Sequence, residues 1–361
     1  MKRSHFIKAT SLLTTSSVLV SSGVLKAGNL SFSDSNRKGE SSFWNIFSDD
    51  YRKNCKLWKH NTLKNPVVPA GTEPWKKYWT ANPTILNLRG KLLVYYRGNG
   101  ITSANSTRHD RIAVGEIKNI TPMDFVFDDL NDGNFIVDVG VKGCFDDHDV
   151  LDPGAVFFKN KVFLYYSGVG TGPNSVGLAI SDDGVYFEKH GSVIVGRSPS
   201  VVASDSKVFM IYQNDDGKGF LGFYLAESED GINFKRLSDQ PVMTGQQDGW
   251  DRYVTTARIY KEEDTFLLVY GGSPDLNDQP DYFGLARSKD LITWEKHPGN
   301  PIFGLSAKGE EDGGAIWFPA IIDIGSHYVI LYEGSRGRYA WDLSSQICMS
   351  SIEKQVIKFI R

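Results

Sequence analysis

The chain has 361 residues and a nearly balanced charge, with 40 Lys and Arg against 43 Asp and Glu. No basic patch interleaves with aromatics, which argues against a nucleic-acid partner. The length exceeds one ordinary core, so two domains or one large repeat fold are the starting expectations, and 36 glycines with 12% aromatics suit many short strands joined by tight turns.

The opening "MKRSHFIKATSLLTTSSVLVSSGVLKAG" reads as a bacterial export signal over residues 1–28. Lys2, Arg3 and Lys8 make a basic start, a Ser/Thr-diluted apolar stretch follows, and small residues come near Ala27. "RSHFIK" is similar to a twin-arginine export motif with Ser4 in place of the second arginine. The expected location is therefore periplasmic or secreted, the alternative being an irregular cytoplasmic tail. No later segment reaches the roughly 18 apolar residues of a membrane helix. Residues 29–54 read as an N-terminal extension and 55–361 as one repeat domain. Cys55, Cys144 and Cys348 lack the spacing of a structural zinc site. Three buried thiols are the expectation, with a Cys55–Cys348 disulfide as the alternative.

Along the rest of the chain one unit recurs five times. Its signature strand ends in Tyr plus a small or polar residue: "KLLVYYRG" (91–98), "KVFLYYSG" (161–168), "KVFMIYQN" (207–214), "TFLLVYGG" (265–272) and "YVILYEG" (328–334). A short strand precedes each: "ANPTILNL", "LDPGAVFF", "RSPSVVAS", "TTARIYKE" and "WFPAIIDI". In three units a third strand and a turn follow, with Asp-Gly at 183–184 and 230–231, where hairpin turns need positive φ. Strand, strand, strand, turn, strand is an antiparallel propeller blade. The predicted fold is all-β, a five-bladed β-propeller. "LWKHNTLKNPVV" (57–68) looks like the end of a unit and is expected to complete the last blade beside "SSQICMSSI" (344–352), closing the ring and hiding sheet edges.

First strands line a propeller's channel. Aligning the units on Tyr96, Tyr166, Tyr212, Tyr270 and Tyr332 puts Asn82, Asp152, Ser198, Thr255 (with a one-residue insertion) and Phe318 at the equivalent slot. Asp152 is the one ionisable residue among them, which singles it out from the acidic loop "FDDHDVLDPG". Asp146, Asp251 and Asp312 recur at similar distances before their strands, a pattern that also suits loop scaffold. His148, isolated in an acidic loop, reads as solvated, and no metal site is expected.

"ANPTIL", "DVLDPGAVFF", the "YYRG" and "YYSG" strand ends and the "SDDGVYF" and "SKDLITWEK" turns resemble the five-bladed propeller glycosidases, among them glycoside hydrolase families 43, 32, 130 and 117, over about residues 55–350. The resemblance implies paired carboxylates in the funnel, one protonating the leaving oxygen and another activating water or attacking the sugar. The first-blade slot carries Asn82 where families 43 and 32 place an aspartate, and "NP" there is closer to family 130. The third-blade slot carries Ser198 where an acidic Glu is expected, and neither residue titrates usefully.

The expected catalytic set is Asp152, Asp251, Asp312 and Asp149, with Glu311 and Glu333 as nearby carboxylates. The expected substrate-binding set is Asn82, Trp79, Arg197, Ser198, Arg252, Trp317 and Glu333. Trp75 and Trp250 also lie where rings could stack on sugars or pack between blades. The expected activity is hydrolysis of a poly- or oligosaccharide. The alternatives are a non-catalytic carbohydrate-binding propeller, which Asn82 and Ser198 favour, and a phosphate-dependent phosphorylase, which Asn82-Pro83 favours. No organic cofactor is implied, a structural cation in the channel is allowed, and the oligomeric state is left open.

Overall fold

Short apolar runs broken by Gly, Asp and Pro become strands throughout a computed structural model that describes residues 25–26, 43–47, 65–71, 73–103, 106–204, 206–214, 222–276, 278–338 and 344–354. Among the described residues, β1 (Leu25–Lys26), helix α1 (Phe43–Ile46) and a 3-10 turn (Pro74–Lys76) precede the repeats. Blade one is β2 (Trp79–Leu88), β3 (Lys91–Gly100), β4 (His109–Thr121) and β5 (Asp124–Asp129), antiparallel in that order. Blade two repeats the plan with β6 (Asp149–Phe158), β7 (Lys161–Val169), β8 (Ser175–Ser181) and β9 (Glu188–Val195). In blade three, β10 (Arg197–Ser204), β11 (Lys207–Gln213) and β12 (Gly222–Ser228) are edged by the short β13 (Lys235–Arg236) and β14 (Met243–Thr244). Blade four matches it with β15 (Tyr253–Glu262), β16 (Thr265–Ser273), β17 (Tyr282–Ser288), β18 (Glu295–Lys296) and β19 (Phe303–Gly304). Blade five has β20 (Ala315–Asp323), β21 (His327–Ser335) and β22 (Gln346–Glu353), with β1 parallel to β20. The fold is thus an all-β five-bladed propeller.

The core lies between blades, because the inner strands of each sheet bury apolar side chains on both faces. Leu93, Ile112, Val150 and Leu164 fill the seam between blades one and two, and Leu267, Phe283, Ile321 and Ile330 that between four and five, where Phe43, Trp44 and Ile46 of α1 also pack. Blades five and one meet through Val94, Ile322, Leu331 and Ile347.

Beside β22, the Val67 and Val68 amides donate to the Ile347 carbonyl at 2.8 and 3.3 Å. Asn65 brackets Met349, its Nδ2 donating at 3.2 Å and its Oδ1 accepting at 2.8 Å. Asn300 clamps Leu285 of β17 in the same way, at 2.9 and 2.8 Å, and both Asn-Pro bonds are cis. The expected outer strand's earlier part, 57–64, lies outside the described residues, as do Cys55 and the proposed signal apart from Leu25 and Lys26. Cys348 is a buried free thiol, not half of a disulfide.

The aspartate turns after the third strands repeat one hydrogen-bond pattern, and the two Asp-Gly turns also tie blades together. In blades two, three and four, Asp183, Asp230 and Asp290 each accept two backbone N–H groups that follow them, with Ser181, Ser228 or Ser288 completing the turn. These donors hold the Asp290 carboxyl down at about 2. The Gly184 and Gly231 carbonyls accept the Tyr95 and Tyr165 hydroxyls of the preceding blade at 3.0 and 2.7 Å. Gly184 has φ +80°, and a Cβ there would come within 2.9 Å of Leu88, Leu93 and Tyr95.

Every first strand carries a bulge, and the slot residue at it is left-handed: Asn82 (φ 52°), Asp152 (57°), Ser198 (53°), Thr256 (44°) and Phe318 (51°). The blade-four slot is Thr256 rather than Thr255. Thr256 precedes Tyr270 by the same fourteen residues that separate Asn82 from Tyr96, so no insertion is needed. Ala257 stands where the other blades have proline, and its free N–H lets it pair with Tyr270. Left-handed non-glycine residues cost about 1 kcal/mol or more each, so this repeated kink must be held from outside.

Arg258, two residues beyond Thr256, supplies part of that hold. Its guanidinium donates to the Pro83 carbonyl at 3.0 and 3.2 Å and to the Pro153 carbonyl at 3.0 Å, and lies 4.5 Å over the Phe318 ring. Burial pushes its pKa down to about 10, which leaves it cationic at neutral pH. Replacing it strands buried carbonyls, each costing about 1–3 kcal/mol. Arg258→Leu is therefore expected to lower stability by roughly 3 kcal/mol or more, seen as a marked fall in the thermal midpoint. A midpoint equal to the wild type would remove Arg258 from this role.

Candidate active site

The five slot residues meet at one cavity of about 250 Å³, lined by Asn82, Asp152, Ser198, Thr256 and Phe318 together with Arg97, Leu151, Val169, Arg197, Asp278, Gln279, Trp317 and Glu333. The kinked first strands of blades one and four bring in one residue each, and those of blades two, three and five bring in two. A second ring comes from the residue after each recurring tyrosine, Arg97, Ser167, Gln213, Gly271 and Glu333, each paired with the residue just before its blade's slot, and Arg97 and Glu333 of this ring line the cavity.

Asp152 is buried, and its Oδ2 accepts the hydroxyls of Ser167 (2.8 Å) and Ser198 (3.1 Å). The Ser198 amide in turn donates to Ser167 Oγ at 2.7 Å, so the two blades share one small network. Glu333 is buried too; its Oε2 accepts the Asn82 amide at 3.2 Å and its Oε1 lies 3.6 Å from Arg97. Burial raises the Glu333 pKa, and Asp152 adds to the rise, while Arg97 and hydrogen bonds from Ser345 and the Asn82 amide oppose it. Arg97 also faces Asp110 at 3.7 Å, and Asp110 accepts Trp79 Nε1 (3.0 Å) and Asn99 Nδ2 (2.8 Å). Burial lifts the Asp110 pKa as well, against the pull of Arg97. Among the buried polar atoms without a partner among the described residues are Asn82 Oδ1 and Arg97 Nε, both on residues that line the cavity. Buried acceptors and donors left unpaired are costly, which marks them as places for a ligand's polar groups.

On the opposite side Arg197 pairs with Asp278 at 2.6 Å, and Asp278 also accepts Thr255 Oγ1 at 2.9 Å. Trp317 Nε1 donates to the Asp278 carbonyl, fixing the ring at the cavity wall. Trp79 lies outside the lining, beneath the Arg108 guanidinium at 4.1 Å, and reaches the site through Asp110.

Three expected site residues lie elsewhere. Asp251 is buried under blade four, accepting Tyr270 Oη (2.9 Å) and Lys296 Nζ (2.6 Å). Asp312 accepts Tyr332 Oη at 2.8 Å. Asp146 does the same in blade two, with Tyr166 (2.9 Å) and Lys189 (2.6 Å). The recurring aspartates thus fasten an incoming loop to the recurring tyrosine. Arg252 is exposed and lies over Tyr253 at 5.3 Å, away from the cavity. Glu311 pairs with Arg336. Trp75 and Trp250 pack against Tyr96 and Tyr270 as scaffold. Asp149 sits at the rim, its Oδ1 accepting the Asp110 amide at 2.7 Å. Sequence reasoning missed Arg97, Asp278 and Thr256. The same blade-by-blade comparison applied one residue after each tyrosine would have found Arg97 beside Glu333.

No protein-family model matches the chain. A 1,2-β-oligomannan phosphorylase of Thermoanaerobacter sp. (strain X514) is 43% identical over 81 residues, 22% of this chain and 27% of that protein. The match therefore spans about a quarter of that relative's length. Among solved structures, a protein of Parabacteroides distasonis assigned to the glycoside hydrolases superposes with a TM-score of 0.64 at 17% identity, over 83% of this chain and 97% of its own. The β-1,2-mannobiose phosphorylase of Listeria innocua gives 0.63 at 13% identity, over 83% and 97%. A structure from glycoside hydrolase family 130, a family of mannoside phosphorylases containing hydrolases that target β-1,2-mannosidic linkages in Candida mannan, gives 0.60 at 15% identity, over 82% and 93%. The fold is the one these proteins share.

If Asp251 is scaffold, Asp251→Ala leaves the Tyr270 hydroxyl and the Lys296 ammonium without their acceptor and should cost roughly 2–3 kcal/mol. Thermal or denaturant melts check this; an unchanged midpoint would return Asp251 to the functional candidates.

Proposed function

We propose that the chain cleaves a glycosidic bond in a β-mannoside, with Glu333 as the proton donor and Asp152 as its carboxylate partner. The observation that carries this is one cavity holding two buried carboxyl groups in different surroundings: Glu333, whose pKa burial raises, and Asp152, anchored through one oxygen by two serine hydroxyls. Groups kept apart in this way divide acid and base roles. Glu333 gives its proton to the leaving glycosidic oxygen as the bond to the anomeric carbon breaks. Asp152 takes a proton from the water that attacks that carbon. Arg97 balances the charge that remains on Glu333. Asn82 Oδ1 accepts a sugar hydroxyl, and Trp317 offers an apolar wall. The mannoside preference rests on the similarity to the proteins named above.

Charge favours hydrolysis over phosphorolysis. Two arginines line the cavity against three carboxyl groups, Asp152, Asp278 and Glu333, and Arg97 and Arg197 are already engaged by carboxylates. An incoming phosphate would have to displace them. The second reading, phosphorolysis, is supported by the 43% identity over 81 residues to an oligomannan phosphorylase. The basic, Ser/Thr-rich N-terminus supports export, and neither reading calls for an organic cofactor.

The test is turnover of β-1,2-mannobiose, longer β-1,2-oligomannans and aryl mannosides by the purified protein, with and without phosphate. Turnover without phosphate is expected. Turnover that requires phosphate selects the second reading, and binding without turnover overturns both.

Glu333 must be protonated to act, so the rate should fall as pH rises through its raised pKa, placing the alkaline limb above the ordinary glutamate value of 4.5. The same sign applies to stability: this contribution is full below the unfolded pKa and is lost as pH rises through the folded one. Glu333→Gln and Asp152→Asn should each lower kcat/KM by about 10²–10⁴-fold with the protein still folded. Persistence of the alkaline limb in a residually active Glu333→Gln would assign the proton to another group.

A further inference from the structure

Beside the mouth of the cavity, where blades one and two meet, three side chains converge that the cleavage chemistry does not use. His109 opens β4, and His148 and Asp149 enter β6. One donor atom from each, two imidazole nitrogens and a carboxylate oxygen, lies within 4.8 Å of the others. The hydrogen bonds around them fix which atoms carry lone pairs. His109 Nδ1 meets the His148 carbonyl, and a carbonyl only accepts, so the neutral ring carries its proton on Nδ1 and its lone pair on Nε2. Such a backbone acceptor is the usual outer partner of a metal-bound histidine. His148 Nδ1 lies 2.7 Å from Asp149 Oδ2, which leaves Nε2 of that exposed ring available. Asp149 is itself held, because its Oδ1 accepts the Asp110 amide at 2.7 Å. The two rings stand edge to face with centroids 5.6 Å apart.

A solvated His148–Asp149 ion pair would explain two of these residues. It would not explain His109, which is 6% exposed and oriented by its carbonyl partner. We propose that His109, His148 and Asp149 bind a divalent cation of borderline softness, Zn²⁺ foremost. Two imidazoles and one carboxylate suit that ion, and three protein ligands leave a coordination position for water or a substrate oxygen. Asp149 pairs with Val169, which lines the cavity, so the bound ion would sit at its rim.

The test uses the full chain, stripped with a chelator and titrated with Zn²⁺ alone by calorimetry, then with Co²⁺ to read ligand-field absorption. One equivalent of Zn²⁺ is expected, together with a raised thermal midpoint, since an ion bound by the folded state stabilises it. His148 is exposed, so His148→Ala leaves the fold intact and carries the comparison, with Asp149→Asn beside it. Each should weaken binding by at least about 10-fold and abolish the Co²⁺ spectrum. Absence of saturable binding by the wild-type chain overturns the proposal. So does binding unchanged in His148→Ala, which places the ion elsewhere in the molecule.

Discussion

One buried cation, Arg258, connects the axis of this protein to its chemistry. Five first strands converge on the axis, and each turns through a left-handed residue just as it reaches the cavity. In four of the five a proline follows the turn, and two of the proline carbonyls, those of Pro83 and Pro153, are taken up by a side chain from another blade. The Arg258 guanidinium spans blades to accept that duty for Pro83 and Pro153 and covers the Phe318 ring. A side chain of the fold itself thus places positive charge close to the channel axis.

The kinks that cost conformational energy also aim the slot side chains into one space. That gives a division of labour. Positions that recur across blades, such as the tyrosines and the loop aspartates beneath them, hold sheets and loops together. Positions that differ from blade to blade, in the slot ring and in the ring one residue past each tyrosine, include the proposed acid and base, Glu333 and Asp152, and Arg97 beside them. The cavity then balances itself. Arg97 serves both Glu333 and Asp110, while the Ser167 and Ser198 hydroxyls serve Asp152. The unpartnered Asn82 Oδ1 and Arg97 Nε are the positions where this balance stays open to a substrate.

Much of this was legible in the sequence. Five Tyr-ended strands at repeating intervals specified the propeller, because a period-two apolar pattern with turn residues at fixed offsets has few other solutions. Asp152 was separable from its acidic neighbours because it alone had no ionisable counterpart at the slot. Six expected site residues, Asn82, Asp152, Arg197, Ser198, Trp317 and Glu333, do line the cavity. Asp251 and Asp312 lie outside that lining and meet tyrosine hydroxyls, and their spacing relative to their strands looks the same whether the carboxylate meets a sugar or a tyrosine.

What the sequence determined by itself was the repeat, the blade order and the unusual slots, since these depend on local periodicity and on turns a few residues long. What tertiary structure decided was every partnership between blades. Thr256 replaced Thr255 because a bulge, not a count of prolines, sets the slot. Glu333 came to rest against Asn82, 251 residues away, and His109 against His148, 39 residues away. Electrostatics and hydrogen bonding act through a few ångströms of space, and only the packing of blade on blade, with blade five against blade one, brings such distant residues within that range.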